Sequence, residues 1–521
     1  MNLPKAVSLK LPNHTSQRYI PILIGVLYLL LATVSIFYDD ITYDEQDHLN
    51  YGIRILKGKS SRQQVGADFN TTMPISALNA LPRAVEQLMN DSLEKKDGGA
   101  MDVKRGRFIT VLATLLLLGY FFAFGKAIAG FAAGCWAMFL GAVDPNILAH
   151  SRLVTTDLYG TLAFVAVLFH LYQWQVKKSS PHFYFWCIAL AFAQCCKVNN
   201  ILLYPICLFI ILGYRFSQQQ IFSWRVFFQQ FAFFVFIHLL LINAAFLFYH
   251  TGMALEEYQF RSAFFQQLKQ SWIGGIPVPL PQSYIDGFDL TQFERESFTG
   301  TAQNYLLGEL RYKEGFWTYY IFCWFVKTPL LTQILILIAI FAALRNKRFR
   351  KPLLFFFLLP SLVVLIFLSS SSVQSGYRYL LPVLSLSLIS AGVLIKEWIQ
   401  QLPRFSGIIL CVVLAIPAFM NFQNFIAYTS EWLWPKKNAY RYLSDSNLNW
   451  GQRQKQIGTV LKNNPQFIFE PPEPVTGLIV VDINKLTGII EPKQFAWLRE
   501  HYEPVTVIEG TYLLFDVKEL P

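Results

Sequence analysis

Apolar runs of bilayer length recur along this 521-residue chain, and they limit its folding choices more than any other feature. A helix needs about 20 apolar residues to cross the hydrocarbon core. About eleven such stretches occur, at roughly 20–38, 107–125, 127–144, 156–175, 183–196, 199–214, 226–249, 317–344, 353–370, 379–396 and 406–425. Only 15% of residues are charged, against about 25% in soluble domains. The spacing predicts a mostly α, polytopic membrane helix bundle over 1–425, with long polar loops at 39–106 and 250–316. The first run follows Lys5, Lys10 and Arg18, yet it is too long for a signal-peptide core and lacks a small-residue cleavage site. It reads as an uncleaved first helix.

The net charge of +11 is therefore read by location, and nucleic acid is the wrong partner to expect. Basic loops mark the cytoplasmic side of a bundle. Lys5, Lys10 and Arg18, then Lys126, Lys177 and Lys178, Arg215 and Arg225, the cluster from Arg345 to Lys351, and Lys396 with Arg404 all fall at one set of helix ends. The opposite face then receives the loop after the first run, the segment Asp144–Thr156, the turn at Lys197, the loop 250–316, the loop Ser369–Arg378 and the C-terminal tail. Most of the polar motifs converge there. Within the first long loop, Pro74–Met89 has apolar residues at helical spacing, as in a helix lying along the interface. The seven cysteines all lie in or beside apolar segments, with neither disulfide nor zinc spacing.

The tail, 426–521, changes character. Tyr428, Trp432 and Trp434 suit an interfacial aromatic belt. A helix to Asn463, a strand at Gly477–Ile483, a helix at Pro492–Tyr502 and a hairpin of Pro504–Ile508 and Thr511–Val517 across Glu509-Gly510 predict a small extracytoplasmic α/β domain.

Four polar constellations carry the chemical interest. Asp44-Glu45, with Asp47 and His48, follows the first run. Asp144-Pro145-Asn146 leads through His150 and Arg152 to Asp157, which opens a helix that Thr155 or Thr156 can cap. Lys197 sits in a tight turn between two spans, and Gly376-Tyr377-Arg378-Tyr379 opens another. Ionisable groups near hydrocarbon are costly and mark functional sites by default. The plainer alternatives are a solvated loop for the first group, dipole capping for Asp157 and snorkelling for the two cations. Lys197 and Arg378 lie against the positive-inside trend, which favours an anion as their ligand.

In order and spacing these motifs, together with Leu306-Leu307-Gly308-Glu309, Val326-Lys327-Thr328-Pro329 and Ser444-Asp445-Ser446-Asn447-Leu448-Asn449-Trp450-Gly451-Gln452, resemble bacterial GT-C glycosyltransferases. The likeness is to the family-39 group of protein O-mannosyltransferases and aminoarabinose transferases, and it runs from Asp44 to Gln452. Two departures stand out. Thr71-Thr72-Met73-Pro74 replaces a His-Pro-Pro element of the first loop, and Asn449 replaces the aspartate of the tail motif.

The resemblance implies transfer of a sugar from a polyprenyl-phosphate carrier to a lipid, glycan or protein acceptor. It implies a multi-pass protein of the bacterial cytoplasmic membrane with its site on the outer face. Asp44 is the expected base, with Glu45 and Asp157 as further catalytic carboxylates. Lys197 and Arg378, with Tyr377, are expected to hold the leaving phosphate. Asp47, His48, His150, Arg152, Glu309, Asp445 and Asn447 are expected in support. The resemblance fixes no cofactor, and a divalent metal stays open, since Asp44, Glu45 and Asp157 could supply hard oxygen ligands. Two other classes stay open: a transporter using the same acids and cations, and a non-catalytic subunit that keeps the scaffold.

Overall fold

A computed structural model describes residues 18–61, 73–89, 99–217, 223–297, 303–399 and 405–520. Lys5, Lys10, Arg404, Thr71 and Thr72 lie outside them. The apolar runs form the helices Tyr19–Ser35, Ala100–Ala129, Phe131–Val143, Asp157–Gln175, Pro181–Cys196, Leu203–Ser217, Trp224–Ala245, Leu359–Ser369, Leu381–Ile399 and Phe405–Met420, and the pair Tyr319–Lys327 and Leu330–Arg345. Among the described residues five helices are long and apolar enough to cross a membrane, or six if the bent pair is one span. Three shorter apolar helices accompany them. The bent pair turns by 117°. Pro329 explains the break. It has no amide hydrogen to give, and it biases Thr328 toward the extended backbone found there, φ −90° and ψ 134°.

The helix Asp157–Gln175 is the axis of the bundle. Every residue from Asp157 to Phe169 is buried, packed by the helices Ala100–Ala129, Pro181–Cys196 and Leu381–Ile399. A helix with no polar stripe belongs inside. Gly160, in its first turn, leaves room for Lys197: a Cβ there would sit 3.0 Å from the Lys197 Cβ.

Two short helices lie between the first two long ones. Glu45–Leu56 packs on Ser76–Met89. The latter anchors by Asn79, whose Nδ2 donates to the Gly106 carbonyl at 2.8 Å and to Thr110 Oγ1 at 2.8 Å. It leaves Leu81, Val85, Leu88 and Met89 exposed, the face an interfacial helix would turn to lipid.

The tail forms a four-stranded sheet of β3 (Phe467–Phe469), β4 (Gly477–Asp482), β5 (Thr506–Ile508) and β6 (Tyr512–Val517), in the order β3-β4-β6-β5. β1 (Gln303–Leu306) and β2 (Glu309–Tyr312) form a separate hairpin in the long loop. β3 runs parallel to β4, and the β4–β6 and β5–β6 pairs are antiparallel. The segment before this sheet is bonded to the first loop: Asp40 N donates to the Gln452 carbonyl at 3.0 Å and Tyr43 N to that of Trp450 at 3.2 Å. Trp432 and Trp434 are exposed, as the belt expectation has it, but Tyr428 is buried. All seven cysteines are free.

Candidate active site

Asp44 and Glu45 open the helix Glu45–Leu56, and their roles separate at once. Glu45 is wholly buried. Its Oε1 accepts from Arg107 Nε at 2.8 Å and from the Val154 amide at 2.9 Å. Its Oε2 accepts from Arg107 Nη2 at 2.6 Å and from the Thr42 amide at 2.9 Å. Arg107 in turn donates to the Asp40 carbonyl at 2.6 Å and the Asp39 carbonyl at 3.2 Å. This bidentate pair pins the loop that carries Asp44 onto the helix Ala100–Ala129. Geometry of this kind is the strong form of an ion pair.

Asp44 itself keeps 30% of its side chain exposed and accepts from Arg378 Nη1 at 2.7 Å. Arg378 lies in the turn Tyr377–Leu380, which follows Gly376 at φ +81°. Glycine is the natural residue there, because a Cβ would also come within 2.3 Å of Ser446 Oγ. The turn is buckled in place by Asn447, whose Oδ1 accepts from the Tyr377 amide at 3.0 Å and whose Nδ2 donates to the Tyr319 hydroxyl at 2.8 Å. Lys327, buried at the bend, donates to the Asn447 carbonyl at 2.6 Å and the Ile426 carbonyl at 2.7 Å. The Arg378 guanidinium lies 4.4 Å from the Trp450 ring centre, within cation–π range.

Across Tyr379 stands a second pair. Lys197 is ion-paired with Asp157, and its ammonium lies 4.2 Å from the Tyr379 ring centre. The turn bearing Lys197 is held to the central helix by Asn200, whose Nδ2 donates to the Gly160 carbonyl at 3.3 Å and the Ala193 carbonyl at 3.0 Å. Asp157, Lys197, Arg378 and Tyr379 line one narrow cleft, whose remaining walls include Phe164, Val364, Phe367, Leu368 and Pro382. One acid and two cations thus meet in a cleft with partly apolar walls, and Asp44 is joined to it through Arg378.

The other expected site residues scatter around this core. Asp445, at φ +58°, feels Arg378. Burial raises its carboxyl above the ordinary range, and Arg378 pulls it back down. Burial lowers the His48 imidazole below its ordinary value, against the pull of Asp44. Its Nδ1 lies 3.5 Å from Ser76 Oγ. Asp47 is half-buried and raised by burial, then by Asp44. His150 is buried with its ring centre 6.1 Å from that of Trp450.

Several expectations change on this geometry. Glu45 is a bracket and has no free oxygen to offer a reactant. Tyr377 is 1% exposed with its hydroxyl 2.8 Å from Thr328 Oγ1, so the aromatic facing the cations is Tyr379. Arg152 is fully buried, bonded to the Ser35 carbonyl at 2.6 Å and paired with Asp39 at 2.6 Å. Glu309 projects from the β1–β2 hairpin onto Arg311 at 2.7 Å and does not line the cleft. Thr156 occupies the cap position of the central helix, but its side chain makes no cap bond. Arg107, Trp450 and Tyr379 were missed as site residues. Arg107 had a signal, a third basic residue after Lys104 and Arg105 where the loop enters the second run.

The Asn449 departure has a structural reason. Asn449 Nδ2 donates to Asp482 Oδ2 at 2.6 Å inside the tail. An aspartate in its place would set two buried carboxylates against each other. A divalent metal does not fit these donors: among the described residues no three His, Cys, Asp or Glu side chains gather as ligands. Asp44, Glu45 and Asp157 are each already paired with a cation.

The fold, taken alone, is similar to those of solved structures of other proteins. The apo oligosaccharyltransferase of Archaeoglobus fulgidus superposes with a TM-score of 0.50 at 11% identity over 82% of this chain and 58% of that one. ArnT from Cupriavidus metallidurans superposes with a TM-score of 0.49 in its apo state, at 15% identity over 77% of this chain and 65% of that one. In the form bound to undecaprenyl phosphate the score is 0.49, at 12% identity over 95% and 97% of the two chains. The chain thus spans less than two thirds of the oligosaccharyltransferase and of the apo ArnT chain. No family model matches the sequence, and no curated protein matches it.

Proposed function

We propose that this protein transfers a sugar from a polyprenyl-phosphate carrier to an acceptor at the outer boundary of a bacterial cytoplasmic membrane. The bundle makes about eleven crossings in this reading, with the tail outside. The carrying observation is the narrow cleft at Tyr379, where Lys197 and Arg378 share the lining with Phe164, Val364, Phe367 and Leu368. That pattern suits an amphiphile whose phosphate sits at the membrane edge and whose hydrocarbon runs between helices. A soluble nucleotide sugar would have no use for such walls.

The reaction follows from the pairs. Arg378 is held by Asp44, and Lys197 by Asp157. A donor phosphate competes for both cations. As Arg378 turns toward it, Asp44 loses its counter-ion and is freed as a base. Asp44 Oδ2 then takes the proton of an acceptor hydroxyl or amine. The acceptor atom bonds to the anomeric carbon from the face opposite the phosphate, and the bond from that carbon to the phosphate oxygen breaks. The phosphate leaves with the electron pair, neutralised by Lys197 and Arg378. One displacement inverts the centre. Asp157 holds Lys197 until the donor arrives, and Glu45 fixes the loop without touching the reactants. Asn447 and Trp450 position Arg378.

The test uses purified protein in detergent, undecaprenyl phosphate as the binding probe and a panel of labelled polyprenyl-phosphate sugars for turnover. Asp44→Asn should bind the carrier at least as tightly as the wild type, since it removes the phosphate's competitor for Arg378, and should lower transfer by roughly 10²–10⁴. Turnover at the wild-type rate in this variant would remove Asp44 from the chemistry. Binding of undecaprenyl phosphate untouched by Lys197→Ala and Arg378→Ala together would remove the carrier assignment.

A further inference from the structure

On the reverse side of the segment that carries Trp450 lies a cavity of about 650 Å³ that the transfer chemistry does not use. It is bounded by the end of the helix Phe405–Met420, the stretch after it and the β5–β6 turn. Its polar lining includes Thr429, Lys436, Lys437, Arg453 and Glu509. Two of these side chains are buried with unpaired atoms: Arg453, 3% exposed, has no hydrogen bond at Nε, and Thr429, 3% exposed, has none at Oγ1. Buried polar atoms are nearly always satisfied; these two lie just beneath the wall of the cavity, whose lining sets what ligand it could take. Its sign is set by the cations. Arg453 is shared with Asp39 at 3.4 Å and Glu509 at 3.5 Å. Lys436 donates to the neutral Asn421 side chain, and Lys437 to the Pro504 carbonyl at 3.0 Å.

Phe419 and Met420 line this cavity and also a second one of about 350 Å³. The second is walled by Phe139, Cys411, Val412, Ala415 and Ile416, on two apolar helices. The cationic chamber and the hydrocarbon groove thus share a wall at Phe419 and Met420. Trp432 and Trp434, both exposed close by in sequence, mark the level of lipid head groups.

We infer that this composite cavity holds a phosphate-bearing membrane lipid, separate from any carrier in the Tyr379 cleft. Its phosphate meets Lys436, Lys437 and Arg453, and one hydrocarbon chain lies along Ile416 and Phe419 toward Phe139. The inference rests on the membrane reading of the bundle and not on sugar transfer, so either can fail alone.

The experiment is native mass spectrometry of the full chain released from detergent, with phosphatidylglycerol, phosphatidylcholine or soluble glycerol phosphate as probes. Phosphatidylglycerol should be retained in preference to phosphatidylcholine. Lys436→Gln/Lys437→Gln should cut that preference roughly tenfold. Thr429→Val, of nearly the same shape, should cut it by about threefold while leaving the fold intact. Glycerol phosphate should not compete. Equal retention of the two lipids would mean adventitious lipid only and overturn the proposal. Effective competition by glycerol phosphate would make this an anion site without a lipid. Retention lost in Arg378→Ala but kept in the double lysine variant would put the lipid in the Tyr379 cleft, which also overturns it.

Discussion

Asp44 keeps 30% of its side chain exposed beside a single guanidinium, while Glu45, the next residue, is enclosed by Arg107, the Thr42 and Val154 amides and the Thr42 hydroxyl. Both are carboxylates facing an arginine, yet they have different uses. The enclosed pair has every strong acceptor direction filled and cannot exchange partners without exposing a buried charge. In the open pair Arg378 can exchange Asp44 for another anion, because Asp44 stays partly in contact with solvent. In two adjacent acids, the number of bonds already made separates scaffold from reagent.

The comparison can be broken most severely at Arg107. Arg107→Met leaves Glu45 buried without its cation, which should cost about 3–5 kcal/mol and yield little folded protein. Thermal unfolding in detergent measures it. A variant as stable as the wild type would mean that Glu45 is not the bracket. Next comes Asp44→Asn, which should lower transfer by roughly 10²–10⁴ while the unfolding temperature stays within a degree or two. A joint fall in activity and stability would put Asp44 on the scaffold side with Glu45.

Smaller effects sharpen the contrast at the cations. Lys197→Ala or Arg378→Ala should each weaken undecaprenyl phosphate binding by roughly 1.5–3 kcal/mol. Trp450→Leu, which removes the ring against Arg378 and His150, should cost about 0.5–2 kcal/mol in the same binding measurement. The least effect is expected from a third buried carboxylate, Asp482, which is held by Asn449 and the Asn484 amide and has no arginine. Burial pushes its carboxyl up to about 6. A raised carboxyl binds more protons folded than unfolded, so its contribution is fully present below the ordinary carboxylate range and is lost as pH rises through about 6. Amide exchange in β4 and β6, corrected for intrinsic rates, should be slower at pH 5.5 than at pH 7.5 by up to about tenfold. Faster exchange at the lower pH would show Asp482 to be stabilised as the anion, like Glu45.

Much of the fold was legible because the bilayer imposes one period on everything. The runs gave the helices, and Glu509-Gly510 gave the β5–β6 hairpin. β3, three residues long, carried too little pattern to be seen. The site was legible as a set of motifs but not as roles. Asp44 and Glu45 look alike in sequence, since burial is decided by Arg107 62 positions away. Tyr377 and Tyr379 flank one arginine, and only the shape of the turn decides which ring faces Lys197. Asn449 looked like a lost acid and is instead the partner of Asp482.

The central helix has a consequence for how such a protein can be altered. Asp157 opens it, Gly160 seats Lys197 on it, and Asn200 ties the lysine turn to it. The cleft is therefore assembled on an interior rod and not on an exchangeable loop. Grafting the Lys197 turn or the Arg378 turn onto another bundle would carry the charges without the fit. In this chain the charged groups of the cleft and the rod that seats them form one unit.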